Sequence, residues 1–167
     1  MKLDIKKLNC GLRSAPLAHA EKLMPEIAPI LWSAPAMCWK DPYDYVVDVK
    51  VHMLMPGQWP CIPNWHTDFC PRDGEGNKLP ELRDKKHLMW LWLSGPPYTE
   101  FRDGREITPM TWIPFTQFDE HRGTQSEEHC WRMFIRLAPA EIAPRVTDGD
   151  YLRRHTQVYL DSDNFTW

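Results

Sequence analysis

Three side chains able to hold a metal stand at a suggestive spacing. His66 and Asp68, in Asn64-Trp65-His66-Thr67-Asp68, are two residues apart, and His121, in Phe118-Asp119-Glu120-His121-Arg122-Gly123, follows fifty-three residues after Asp68. Residues two apart on an extended chain point to the same side. One strand end therefore presents His66 and Asp68 together, and a second strand must deliver His121. Two imidazoles and one carboxylate cover one face of an octahedral metal and leave three positions open. That facial arrangement favours non-heme Fe(II) and oxygen chemistry. The neutral imidazoles and ionised carboxylate it needs are available near neutral pH.

Eleven residues beyond His121 comes Arg132, on the apolar-rich segment Cys130-Trp131-Arg132-Met133-Phe134-Ile135-Arg136. At a period of two, Arg132, Phe134 and Arg136 share a face. Arginines pointing inward among aromatic residues need an anionic partner, and a guanidinium fork suits a carboxylate. Arg132 and Arg136 both qualify. Other ligand sets compete. His129, in Glu127-Glu128-His129, is an alternative to His121, and Cys61, His66, Cys70 and Cys130 are an alternative tetrahedral zinc set whose spacing matches no common zinc module. His19, His52, His87 and His155 read as structural or surface groups. Asn64 and Tyr98 are polar neighbours that can touch a bound small molecule.

These residues need a scaffold of strands. From Tyr45 to Met55 the period is two, giving a long strand with one apolar and one mixed face. Residues 87–93 form a buried strand, 110–118 a strand placed at an edge or bulge by Pro114, and 130–137 another. Asp103-Gly104 between 99–102 and 105–107 is a two-residue hairpin signal. His121 is expected at the end of its strand. Residues 1–43 read as a helical or irregular cap, with a short helix over 17–24 that can resume after Pro25 as 26–32. Residues 44–137 form the core of one domain, and 138–167 an extension in which 151–160 is a helix or an edge strand. The glycine-bearing loop 71–86 is a candidate lid. Trp65 must face away from His66, while Trp90, Trp92 and Trp131 read as core.

The bulk numbers agree with a β-rich globular chain. Sixteen prolines argue against a mostly helical fold, and 43% hydrophobic residues suit a packed core. A net charge of −3 does not indicate a nucleic-acid or membrane partner. Five scattered cysteines, no CxxC pair and no apolar signal segment at Met1 point to a reduced, cytoplasmic protein.

The set His66, Asp68, His121 and Arg132 resembles the Fe(II)- and 2-oxoglutarate-dependent dioxygenases, whose pattern is HxD, a distal histidine and an arginine about ten residues on. The His121-Arg122-Gly123 strand looks like that of the phytanoyl- and prolyl-hydroxylase type. The likeness spans roughly residues 45–137 and implies a double-stranded β-helix, a cupin-like jelly roll. It also implies Fe(II) on His66, Asp68 and His121, and 2-oxoglutarate as cosubstrate with its far carboxylate on Arg132 or Arg136. The reaction implied is hydroxylation or oxidative demethylation of a small molecule or a side chain. Many relatives carry serine or threonine two residues after the arginine, where this chain has Phe134. Two alternatives stand beside it: a cupin-like non-enzymatic module that binds a small anion or a protein, and a cupin metalloenzyme that works without 2-oxoglutarate.

Overall fold

The ten-residue alternation from Tyr45 has one partner long enough to match it. In the computed structural model, which describes residues 3–8, 10–79, 86–146, 149–153 and 158–160, strand β2 (Tyr45–Leu54) pairs antiparallel with β8 (Cys130–Pro139) over ten residues, from Tyr45 opposite Pro139 to Leu54 opposite Cys130. Strands β1 (Gly11–Pro16), β4 (Leu88–Leu93), β6 (Ile113–Thr116) and β9 (Leu152–Arg153) complete a six-stranded sheet in the order β6-β4-β8-β2-β1-β9. Two small antiparallel pairs accompany it: β5 (Thr99–Phe101) with β7 (His121–Gly123), and β3 (Gln58–Trp59) with β10 (Tyr159–Leu160). The chain is mainly β, all named pairings are antiparallel, and among the described residues no sheet closes on itself.

The large sheet is buried on both sides. Val47, Val49, Met133, Ile135 and Leu137 join Leu12, Leu17, Ile27 and Leu31 in one core. It packs beneath helices α1 (Leu17–Leu23), α2 (Ala28–Trp32) and α3 (Ala36–Lys40). Ile135, Met133 and Leu137 are fully inaccessible, and each such side chain contributes roughly 1.5–3 kcal/mol of transfer free energy. On the opposite face Met89, Leu91, Leu93, Phe101 and Phe115 form a second core. Parity explains the split, because consecutive strand residues point to opposite faces. Among the described residues no helix is long and apolar enough to cross a membrane.

Several expectations change. Residues 11–16 are not part of an irregular leader: they are a strand inside the main sheet, hidden by a bulge between Leu12 and Ala15 where Ser14 takes φ +43°. The helical stretch breaks at Pro25 and resumes as expected, with a 3-10 turn at Pro25–Ile27 leading into α2. Asp103-Gly104 does turn the chain, with Gly104 at φ +76° and its N–H donating to the Phe101 carbonyl at 3.0 Å. No hairpin follows, because β5 pairs with β7 and Arg105 bonds instead to Asp103 and the Pro114 carbonyl. Pro114 lies in β6, at one end of the sheet order, as a residue without an N–H must. His121 opens β7 rather than ending a strand. The 151–160 segment supplies two short strands, β9 and β10, with 154–157 outside the described residues.

The segment before His66 runs along β7 at close range. Gly123 donates its N–H to the Ile62 carbonyl at 2.8 Å. A Cβ at Gly123 would lie 2.5 Å from the Cys61 carbonyl oxygen and 3.2 Å from its Sγ. Gly74 has nothing within 4 Å of the same position. Gly123→Ala is therefore expected to destabilise the fold by about 1–3 kcal/mol, read as a lower urea midpoint. Gly74→Ala should stay within about 0.5 kcal/mol of the parent. Equal midpoints for the two variants would contradict the close approach.

Candidate metal centre

A backbone contact brings the three metal-binding side chains together. His66 and His121 exchange both main-chain hydrogen bonds, at 3.0 and 2.9 Å, as an isolated antiparallel bridge. Residues opposed in this way present their side chains on the same side, and the two rings stand 4.4 Å apart. Asp68 follows His66, and Phe69 after it takes φ +54°, a conformation costly for a bulky residue. The chain thereby leaves the site immediately after the carboxylate. The ligand atoms of His66, Asp68 and His121 all lie within 4.8 Å of one another, and His121 Nε2 is 3.5 Å from Asp68 Oδ2.

The histidines are set up to be ligands. His66 Nδ1 lies 2.9 Å from the Asn64 carbonyl and His121 Nδ1 3.1 Å from the Asp119 carbonyl. A carbonyl only accepts, so Nδ1 carries the proton in both rings, and in the neutral imidazole Nε2 keeps its lone pair. Tying the outer nitrogen to a carbonyl is how metal-binding histidines are usually oriented. Burial lowers the His66 pKa below the ordinary imidazole value, which favours the neutral ligand form. Phe101 and Phe115 flank His121 at ring distances of 5.6 and 5.9 Å.

Arg136 anchors the carboxylate. Its Nη1 donates to Asp68 Oδ2 at 2.5 Å, while Nε and Nη2 donate to Asp48 Oδ2 at 3.2 and 2.6 Å. The other Asp48 oxygen accepts the Ser14 N–H at 3.0 Å, so the bulge in β1 holds the far end of the chain of bonds. The guanidinium also lies 4.2 Å from the Phe69 ring centre. Burial would raise the Asp68 carboxyl, but the Arg136 guanidinium outweighs it and holds Asp68 well below the usual carboxylate range. In the same way Asp68 and Asp48 overcome the effect of burial on Arg136 and keep it charged. Arg136, one of the two arginines considered for anion binding, is thus saturated by two carboxylates.

Arg132 is the opposite case. It is 1% exposed, and burial pulls its pKa down to about 10. Nη2 donates to Thr99 Oγ1 at 2.9 Å, and among the described residues Nε has no partner and no carboxylate pairs with the group. Its side chain lines the same cavity as His66, Asp68 and His121. A desolvated guanidinium with an unused donor is costly until an anion arrives.

The rivals do not assemble. His129 is exposed. Among the described residues His66, Asp68 and His121 form the only group of three or more His, Cys, Asp or Glu close enough to hold an ion. Cys61 lines the cavity with its thiol 3.9 Å from Thr99 Oγ1, whereas Cys70 bonds the Pro71 carbonyl, and no zinc set forms. Trp65 faces away from His66, with the Arg102 and Arg122 guanidinium groups 5.3 and 4.6 Å from its ring. Asn64 serves through its carbonyl, and the Tyr98 side chain is not part of the cavity wall. In the 71–86 loop, residues 71–79 form a compact turn around Asp73 that Lys78 ties to Glu120 at 3.4 Å. Residues 80–85, the rest of the candidate lid, lie outside the described residues, as does His155.

Sequence reasoning missed Asp48, Lys50, His52, Thr99 and Tyr159. Asp48, Lys50 and His52 had one available signal: they are polar residues at alternating positions in an otherwise apolar strand. No protein-family model, curated protein or solved structure matches the chain.

Because Asp48 orients Arg136 and Arg136 orients Asp68, Asp48→Asn is expected to weaken divalent-metal binding about tenfold to a hundredfold. Calorimetric titration with Mn(II) or Co(II) measures this directly. His129→Ala should leave the same titration unchanged.

Proposed function

We propose that the protein is an Fe(II)- and 2-oxoglutarate-dependent oxygenase, built on a double-stranded β-helix. The observation that carries this reading is a pairing across one cavity. Three groups able to ligate a metal lie at one place, and a buried arginine that has no counter-ion among the described residues lies at another. A facial set of two histidines and a carboxylate suits Fe(II) with open positions. The distal cation suits the second carboxylate of a cosubstrate that chelates the metal with its first. The six-stranded sheet facing small antiparallel pairs, with ligands on the facing layer, supports the β-helix reading.

The donor set fits the metal: two neutral imidazoles and a carboxylate kept ionised. Bound there, Fe(II) with 2-oxoglutarate supplies oxygen activation, coupling conversion of cosubstrate and O2 to succinate and CO2 with insertion of one oxygen atom into a substrate C–H bond. The protein's own residues do the positioning. His66, Asp68 and His121 fill one face and leave the other open. Arg132 and Thr99 orient the cosubstrate's far end, and Arg136 keeps Asp68 aimed. Phe101, Phe115 and Phe134 line the walls and exclude water.

A second reading is a metal-free anion-binding module, favoured by the Arg136–Asp68 ion pair, which satisfies Asp68 without any ion. Iron content and turnover separate the two. His66→Ala, Asp68→Ala and His121→Ala are each expected to abolish stoichiometric Fe(II) binding in anaerobic protein and succinate release from 2-oxoglutarate. Arg132→Met should keep iron while losing 2-oxoglutarate affinity by about tenfold to a hundredfold. Undiminished turnover in the three ligand variants would end the proposal. Iron-dependent turnover that survives Arg132→Met would make the protein a metalloenzyme that does not use 2-oxoglutarate.

A further inference from the structure

The cavity wall holds a second cation that neither the metal nor the cosubstrate accounts for. Lys50 lies on β2 between Asp48 and His52, opposite Phe134 on β8, and its ammonium sits 5.5 Å from the Phe134 ring centre. It lines the same cavity as the three metal-binding residues and Arg132. Among the described residues it makes no hydrogen bond or ion pair. The neighbouring carboxylates are already engaged: Asp68 in the wall and Asp48 behind it both bond Arg136. Burial, and then Arg136, lower the Lys50 pKa, the direction expected of an ammonium without its own counter-ion.

Counting charge narrows what the cavity can hold. Asp48, Arg136 and Asp68 together carry one net negative charge. Against them stand the cavity-lining Lys50 and Arg132 and a divalent metal, which leaves the lining and the Asp48 bonded to it three positive charges in excess; Arg153 also acts on Lys50, but from outside the lining. A dianionic cosubstrate removes two. One remains, and among the described residues Lys50 is the cavity cation that makes no hydrogen bond or ion pair. We infer that the primary substrate is a small molecule bearing a single carboxylate, seated on Lys50 beside the metal centre; this rests on the oxygenase reading above. A neutral substrate would close the site over an ammonium that Asp68 and Asp48 act on only at a distance, at a cost in desolvation. A phosphate monoester, at about −1.5 to −2 near neutral pH, would overshoot the remaining charge. Anchored at one end, such a substrate presents its carbon chain to the open positions of the metal, with Phe134 as the floor.

The experiment uses the full chain, loaded anaerobically with Fe(II) and saturating 2-oxoglutarate so that no turnover occurs. Butyrate, hexanoate and benzoate, each beside its neutral amide, and inorganic phosphate are titrated calorimetrically. At least one carboxylate is expected to bind tenfold or more tightly than its amide and more tightly than phosphate. Lys50→Met should reduce that affinity by about tenfold to a hundredfold with the 2-oxoglutarate Kd nearly unchanged, and Lys50→Arg should recover part of it. Carboxylates that bind no better than amides, or a Lys50→Met effect on 2-oxoglutarate alone, would overturn the inference. Tighter binding of phosphate would overturn the carboxylate class. Wild-type protein that binds neither iron nor 2-oxoglutarate overturns the oxygenase reading and this inference with it. Protein that binds both but no carboxylate overturns this inference only.

Discussion

Everything in the site depends on the register of the β2–β8 ladder. Its ten pairs place Asp48 opposite Arg136, Lys50 opposite Phe134 and His52 opposite Arg132 on one face. The other face carries Val47, Val49, Met133, Ile135 and Leu137. A one-residue slip of either strand would exchange the faces. It would drive charged groups into the core beneath the helices, where nothing could pair with them. The apolar residues thus fix the register and the charged residues inherit their positions. The burial that stabilises the sheet is also what makes its charges costly, and so chemically useful.

That cost is managed unequally along the ladder. At one end Arg136 is sandwiched between two carboxylates and braced by Phe69. A buried ion pair of this kind contributes little net stability, but removal of one partner leaves an uncompensated charge. Its value lies in geometry: the Ser14 N–H fixes Asp48, Asp48 fixes Arg136, and Arg136 fixes the metal-ligating oxygen. Four residues further back along the strand, Arg132 receives one hydroxyl and no anion. Two arginines on the same face of the same strand therefore have different chemistry, and their neighbours decide which one is available to a ligand.

The parts of this arrangement that follow local rules were legible in the sequence. His66-x-Asp68, His121 and the two arginines are set by residue type and spacing, and β2, β4 and β8 by periodicity and apolar runs. What escaped was decided by contacts far apart in the chain. β1 is unreadable because its bulge at Ser14 breaks the period of two, and the bulge exists to meet Asp48, thirty-four residues away. The choice between Arg132 and Arg136 needed the positions of Asp48 and Asp68. Tyr159 reaches the cavity through a two-residue strand paired with β3, which no local pattern announces. The hairpin expected at Asp103-Gly104 failed for the same reason. Its turn is local and forms, while the partner of β5 is chosen by the contact between Phe101 and His121.

The site is thus assembled from two kinds of material. The charged wall comes from the middle of the longest ladder in the protein, where neighbouring strands constrain every rotamer. The candidate metal ligands come from short or irregular segments: His66 from a single bridge, Asp68 from the bend before a left-handed Phe69, and His121 from the first residue of a three-residue strand. Short segments are not rigid by themselves, and each is pinned by one long-range contact. The His66–His121 exchange, the Arg136–Asp68 bond and the approach of Gly123 to Cys61 do that pinning. A precise centre on loops requires such external supports, and here the same sheet that carries Arg132 and Lys50 also supplies the Arg136 support. The geometry of the triad and the placing of Arg132 are therefore coupled through β8: a shift of that strand relative to β2 would move Arg132 and Arg136 together.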